Sequence, residues 1–310
     1  MTTAEVRESD SSNKGSESSP PLVSICCITY NHVHFVRDAL EGFLMQKTNF
    51  PIEILIHDDA STDGTEELIR DYEVKYPEII KPIYETENQY VKGRKGSRTF
   101  NFPRAKGKYI AMCEGDDFWI DPLKLQKQVD FLEANPTFSG TFHETRVLEY
   151  NEQQQDNRER VYGRNAPDIC TVEDTLSTYS LFHTSSFLFR SSCYVLPDWI
   201  SDVISADMAL FSIVAGFGPI KKIPGIMSVY RKHGGGVTSS SEAINNFRQK
   251  RIELINLLNA YHNYEYTKKA EQVINEHAIA LRRSRIAKPT LLYRLKKKLN
   301  FRQRLKNWFK

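Results

Sequence analysis

The sequence has no run approaching the roughly 18 consecutive apolar residues of a membrane-crossing helix, so none is predicted. Residues 1–19 lack the apolar stretch of a secretory signal. Ser, Glu and Asn dominate them instead, the composition of a disordered leader. The five cysteines, Cys26, Cys27, Cys113, Cys170 and Cys193, form no C-x-x-C pair. A disulfide framework or a zinc site is therefore not expected, and three of the five lie in strand-like apolar runs as small hydrophobes. No internal repeat is present. These absences predict a protein of the cytoplasm, or one held peripherally on the inner face of the cell membrane.

Acid is scarce in one region only. Residues 281–310 hold twelve Lys or Arg and no Asp or Glu, so the formal +3 of the whole chain becomes about −9 for residues 1–280. The basic character belongs to a tail. Aromatics are plentiful elsewhere, and 310 residues with 40% hydrophobic content suffice for one large α/β domain with a substantial core.

Apolar runs at 22–29, 52–57, 79–84 and 108–113 read as strands, and segments 33–46, 65–76 and 121–134 as helices. Asp63 with Glu66 has the spacing of a capping box. Asp121-Pro122 reads as the N-cap and first position of the last helix, and Asn135-Pro136 as its stop. Strands alternating with helices predict a mostly parallel sheet, in which ligands bind beyond the carboxyl ends of the strands. Residues 85–103, polar and rich in Gly, Lys and Arg, read as a mobile loop; Arg94, Lys95 and Arg98 in it are candidates for meeting phosphate. The alternation weakens after about residue 140. The expected organisation is a globular domain over 20–240, with a donor half (20–137) and an acceptor half (138–240), then a helical extension over 241–310.

Both acidic clusters fall at strand ends. Glu114-Gly115-Asp116-Asp117 offers three carboxylates within four residues, suited to Mg²⁺ or Mn²⁺ with a diphosphate completing the oxygen shell. Such an ion offsets charge on a leaving diphosphate. In His57-Asp58-Asp59, adjacent carboxylates repel each other and need a reason to be there, such as a hydrogen-bonded ligand. Later, Tyr230-Arg231-Lys232-His233-Gly234-Gly235-Gly236 makes a flexible loop whose Arg231 and Lys232 suit a diphosphate.

Thr29-Tyr30-Asn31, then Asp58-Asp59-Ala60-Ser61-Thr62-Asp63-Gly64-Thr65, then Lys106-Gly107-Lys108-Tyr109-Ile110 leading into Glu114-Gly115-Asp116-Asp117, resemble family 2 glycosyltransferases of the GT-A fold across residues 21–137. The resemblance implies that Ile28, Tyr30 and Asn31 line the nucleotide base pocket and that Asp59 hydrogen-bonds the base. It implies that Asp117 ligates a divalent metal, that Asp116 contacts the ribose or the metal, and that His233 completes the metal shell. Segment 183–190 resembles the family's acceptor-side strand. Segment 205–210 resembles the one supplying the catalytic base; many members have Glu-Asp where this chain has Ala206-Asp207, leaving Asp207 as the single carboxylate. Arg98 and Arg231 join the implied donor site.

The function expected is transfer of a sugar from a UDP-sugar to a glycan or lipid-linked saccharide, with inversion expected from the resemblance alone. A sugar-1-phosphate nucleotidyltransferase would need a Gly-rich phosphate loop where Thr29-Tyr30-Asn31-His32 stands. A nucleic-acid binder is disfavoured by the lack of basic–aromatic interleaving in 21–240.

The tail carries its own signal. Leu291, Leu292, Leu295 and Leu299 fall on one arc of a helix, and Phe301, Leu305, Trp308 and Phe309 on a second, among eight Lys and Arg from Arg294 to Lys310. That pattern suits an anionic membrane surface, at about 1 kcal/mol per nearby cation. The full chain is expected to co-sediment with anionic liposomes and a chain ending near residue 287 is not. Equal binding by both, or by neither, would refute the anchor.

Overall fold

The computed structural model describes residues 19–94, 96–149, 160–232 and 241–286. The expected leader (except residue 19), Lys95, His233 with its glycines, and the amphipathic tail lie outside these residues. Up to residue 134 the elements are β1 (Val23–Thr29), α1 (Val36–Leu44), β2 (Ile52–Asp58), α2 (Thr65–Lys75), β3 (Ile80–Tyr84), α3 (Ser97–Phe100), β4 (Tyr109–Met112), β5 (Phe118–Trp119) and α4 (Lys124–Ala134). There follow β6 (Gly140–Glu149), β7 (Arg160–Tyr162), β8 (Ile169–Cys170), α5 (Val172–Thr175), β9 (Leu188–Arg190), α6 (Ala206–Ala215), β10 (Ile220–Lys232), α7 (Ser241–Tyr261) and α8 (Thr267–Ile286).

One sheet carries all the strands, in the order β3-β2-β1-β4-β9-β6-β10-β5, with β7 on β6 and β8 on β10. β3, β2, β1 and β4 are parallel, as the alternation predicts; β9 then runs antiparallel to both β4 and β6. One apolar layer packs α1, α2 and α4 against the first strands. A second joins the other face to α6 through Phe142, Phe187, Phe189 and Phe211, and a third seals α7 and α8 onto α6 through Met208, Ile213, Leu254 and Leu258. All five cysteines are free and buried, as their apolar settings lead one to expect. No helix among the described residues is long and apolar enough to cross a membrane.

Four local readings need correction. α1 starts at Val36, after a turn closed by the Phe35 N–H on the His32 carbonyl (2.8 Å). Asp63 forms no capping box. Left-handed Gly64 takes the N-cap position of α2, and Glu66 pairs with Arg70. Asp63 instead accepts the Thr65 N–H (3.0 Å) and the Val33 N–H (3.1 Å), tying α2 to the turn after β1. α4 begins at Lys124, because the Asp121 carboxylate caps the preceding turn at the Leu123 N–H (2.8 Å). Residues 85–103 are not a loose loop. Asp59 fixes their start, α3 lies within them, and buried Asn101 donates to the Cys27 carbonyl (2.8 Å).

Gly107 shows why the turn before β4 reads as it does. Its N–H reaches Ser24 Oγ (2.8 Å), and a Cβ there would lie 2.5 Å from the Ser24 nitrogen and 2.8 Å from the Tyr109 carbonyl oxygen. These are backbone atoms of the central strand pair, which cannot yield separately. Gly107→Ala should therefore cost about 1–3 kcal/mol by overpacking, read as a lower urea midpoint. An unchanged midpoint would mean that β4 can draw back from β1.

Candidate active site

β4 delivers the acidic loop, and the turn after β1 shapes it. The Gly115 N–H donates to the Ile28 carbonyl (2.9 Å), and a Cβ on Gly115 would stand 2.9 Å from Thr29 Oγ1. The loop thus lies flat on the β1 terminus, where only glycine fits. β5 follows at once and pairs antiparallel with β10, Phe118 opposite Val229. That pairing sets Arg231 beside the carboxylates.

Asp117 is 2% exposed. Its Oδ1 accepts the Arg231 backbone N–H (2.9 Å), and its Oδ2 lies 3.6 Å from His183 Nδ1. Burial, with the charges of Asp116 and Glu114, holds its pKa well above the ordinary carboxylate range, against the opposing Arg231. Asp116 Oδ2 is 3.9 Å from His32 Nε2. Glu114 accepts the Thr184 hydroxyl (2.7 Å). Burial pushes Glu114 up to about 7; Thr184 opposes this, and the charges of Asp116 and Asp207 add to it.

Arg231 turns inward. Its guanidinium pairs with Asp38, donates to the Asp116 carbonyl (3.1 Å) and lies 4.1 Å over the Phe118 ring. In this structure it holds the acidic loop rather than facing the cavity. His183, read from sequence only as a residue of the acceptor-side strand, is the neighbour that reading missed. It stacks on Tyr230 (ring centroids 4.3 Å apart), and burial drives its pKa down to about 4, so the imidazole is neutral. Its link to Asp117 arises only when β9 and β10 are laid beside β6, which no local motif records.

At the ends of β1 and β2, Asn31 has a left-handed backbone and donates its N–H to Ser61 Oγ (2.9 Å), while its side-chain oxygen accepts the Thr62 N–H (2.9 Å). Tyr30 stands exposed beside it. Asp58 accepts the Ser61 N–H and hydroxyl, a turn-holding role. Asp59 accepts the backbone N–H groups of Gln89 (2.6 Å) and Tyr90 (3.1 Å). The two adjacent carboxylates thus have separate partners.

Asp207 sits in the first turn of α6, half-buried. It faces a cavity of about 510 Å³ whose wall also includes Glu114, Thr184, Ile28, Arg98 and Phe247. Burial raises its pKa, against the Met208 backbone N–H and the charge of Arg251. Arg98 has no ion-pair partner among the described residues. Of the residues read as functional from sequence, Asp207, Ile28 and Arg98 therefore meet on one wall; Tyr30, Asn31 and Asp59 gather at the neighbouring strand ends, and Asp116 and Asp117 follow Glu114 on the acidic loop.

The acidic loop fits a divalent cation by the chemistry of its donors. Asp117 is buried with its charge poorly balanced. His183 Nδ1 accepts the Ser185 N–H (3.3 Å) and lies 3.6 Å from Asp117 Oδ2, so the neutral ring does not balance that carboxylate. No three His, Cys, Asp or Glu among the described residues already form a complete shell. Diphosphate oxygens are the natural remainder.

An uncharacterized protein of Mycobacterium tuberculosis is 35% identical over 223 residues, 71% of this chain; the chain spans only 61% of that relative's length. UDP-Glc:alpha-D-GlcNAc-diphosphoundecaprenol beta-1,3-glucosyltransferase WfaP of Escherichia coli is 38% identical over 117 residues, 38% of this chain and 43% of WfaP. The solved mannosyltransferase PcManGT from Pyrobaculum calidifontis, in complex with GDP-Man and Mn²⁺, has a TM-score of 0.54 at 17% identity, covering 93% of this chain and 83% of that one, a likeness of fold. The profile of Glycosyl transferase family 2 matches residues 24–211, more than half of the sequence. With the acidic loop after β4 and the sheet order above, the chain belongs to glycosyl transferase family 2 and has the GT-A fold.

Proposed function

We propose that the protein transfers a sugar from a UDP-sugar to a hydroxyl of a glycan or lipid-linked saccharide, in the synthesis of a cell-surface polysaccharide. The observation that carries the reading is that Asp207 and Glu114 line one cavity, with Asp116 and Asp117 directly following on the same loop. The Asp207 carboxylate and the first residue of the acidic loop thus border a space large enough for a sugar. WfaP is named for a UDP-Glc donor and a diphosphoundecaprenol-linked acceptor, which supports both choices. PcManGT holds GDP-Man with Mn²⁺, which supports a nucleotide-sugar and a divalent ion.

In this reading Ile28, Tyr30, Asn31 and Asp59 bind the nucleotide. Asp117, Asp116 and His233 would hold Mn²⁺ or Mg²⁺, which when bound would offset negative charge on the leaving group. Arg98 faces the phosphates from the cavity wall. Arg231 serves the donor indirectly, by fixing the loop. Asp207 takes the proton from the acceptor hydroxyl while that oxygen bonds to the anomeric carbon. The sugar–phosphate bond breaks and nucleoside diphosphate departs, a single displacement that inverts the centre. The basic tail would hold the enzyme where lipid-linked acceptors lie.

Asp117→Asn should abolish transfer while leaving the fold intact by circular dichroism; near wild-type turnover in Mn²⁺ would sink the assignment. Asp207→Asn should lower turnover by roughly 10² or more with donor affinity little changed. Loss of UDP binding in that variant would move Asp207 to the donor site. The acid limb offers a third check. Asp207 must be ionised to act and burial raises its pKa, so activity is present above the folded-state value and falls as pH drops through it. That limb of kcat/KM should lie at higher pH than an exposed carboxylate gives, and should vanish from the residual rate of Asp207→Asn.

A further inference from the structure

The two helices after the sheet form an antiparallel hairpin, joined by a turn in which Asn263 and Tyr264 have left-handed backbones. Leu254 and Leu258 of α7 share one buried layer with Ala270 and Val273 of α8. Further along α8, burial first and then the charges of Arg251 and Arg248 lower the pKa of His277, so this turn of α8 lies beside the start of α7. That end of the hairpin borders the cavity, whose wall includes Asn246 and Phe247. Charge is unevenly divided between the two ends. The turn end, residues 260–272, sets Lys268 and Lys269 against Glu265 and Glu271. At the cavity end, α7 carries Arg248, Lys250 and Arg251 between Glu242 and Glu253, and on α8 Arg282 and Arg283 come after Glu276 with no Asp or Glu following it. The Glu276 carboxylate is itself occupied, by the Thr178 hydroxyl (2.5 Å) and the Gln272 side-chain amide (3.2 Å).

Lys250, Arg282 and Arg283 are exposed, and Arg248 is half-buried. Lys250 stands four residues after Asn246, on the same side of α7 and one turn from the cavity wall. Asn246 is exposed as well as lining that wall, so the cavity reaches solvent beside these cations. Ile279, 48% exposed, shares a face of α8 with Arg282 and Arg283 by the i, i+3, i+4 spacing. An exposed apolar side chain among arginines suits a lipid headgroup layer, where cations meet phosphate and the apolar group meets acyl chains. The chain leaves the hairpin at this same end, and its sequence past residue 287 keeps Leu, Phe and Trp among cations. Taking the cavity as the acceptor site, on the transferase reading above, we infer that Arg248, Lys250, Arg282 and Arg283 form a docking edge for anionic phospholipid headgroups. The edge turns the cavity toward the bilayer. The tail supplies the hold, and the hairpin supplies the orientation.

The test uses the full chain and vesicles of phosphatidylcholine, alone or mixed with phosphatidylglycerol. Arg282→Glu with Arg283→Glu should weaken partition onto the mixed vesicles by roughly tenfold or more, and by less in high salt. The matched reversal at the turn end, Lys268→Glu with Lys269→Glu, should change it far less. Circular dichroism reports that both variants are folded. Orientation is read separately. All five native cysteines are buried, so a single added cysteine at an exposed position can carry a fluorophore. With a nitroxide on the lipid headgroup, quenching should be strong at Asn246→Cys and weak at Tyr264→Cys, at the far end of the hairpin. Unchanged partition in Arg282→Glu with Arg283→Glu, equal quenching at the two positions, or no binding of the wild type to anionic vesicles would each overturn the docking edge. Tighter binding to duplex DNA than to the vesicles would overturn it too. Neither readout uses a nucleotide-sugar. A wild type that docks as described but releases no UDP or GDP from any nucleotide-sugar would refute the transferase reading instead, a different failure.

Discussion

Negative charge crowded at the carboxyl ends of a sheet is what the rest of this molecule is arranged around. Glu114 feels the charges of Asp116 and Asp207, Asp117 those of Asp116 and Glu114, and burial raises Glu114, Asp117 and Asp207. Such a group is tolerable only because the surrounding elements supply donors at fixed places. β10 brings the Arg231 N–H, the segment before β9 brings Thr184 and His183, and the turn after β1 brings His32. The long β10 is the means: it pairs with β6 along most of its length and with β5 at the foot of the acidic loop.

Part of this was legible because it is local. Apolar runs mark β1 to β4, and each acidic cluster is visible at a strand end from a few neighbouring residues. What failed was also local, but of another kind. Asp63 and Asp121 have the right spacing for caps, yet a left-handed Gly64 and a turn before Lys124 redirect both carboxylates. Spacing identifies a residue able to accept an N–H, and the backbone around it decides which N–H is offered.

The illegible part lies in side chains whose partners arrive from far along the chain. His183 meets Asp117 only through the β9–β6–β10 side of the sheet. Arg231 shows the converse. Its loop was marked as functional from sequence, but the bond that matters most is made by its backbone, which carries no residue signature.

The hydrogen bond from Arg231 to Asp117 spans 114 positions of sequence. During synthesis the carboxylates leave the ribosome long before the strand that organises them. A nascent chain through α4 has β1 to β4 and their helices but lacks β6, β9 and β10, so its acidic loop has charge without scaffolding. Competence to hold a donor is therefore a late event in the life of each molecule, acquired when β10 zips onto β6 and β5. Pairing over such separations is slow by nature.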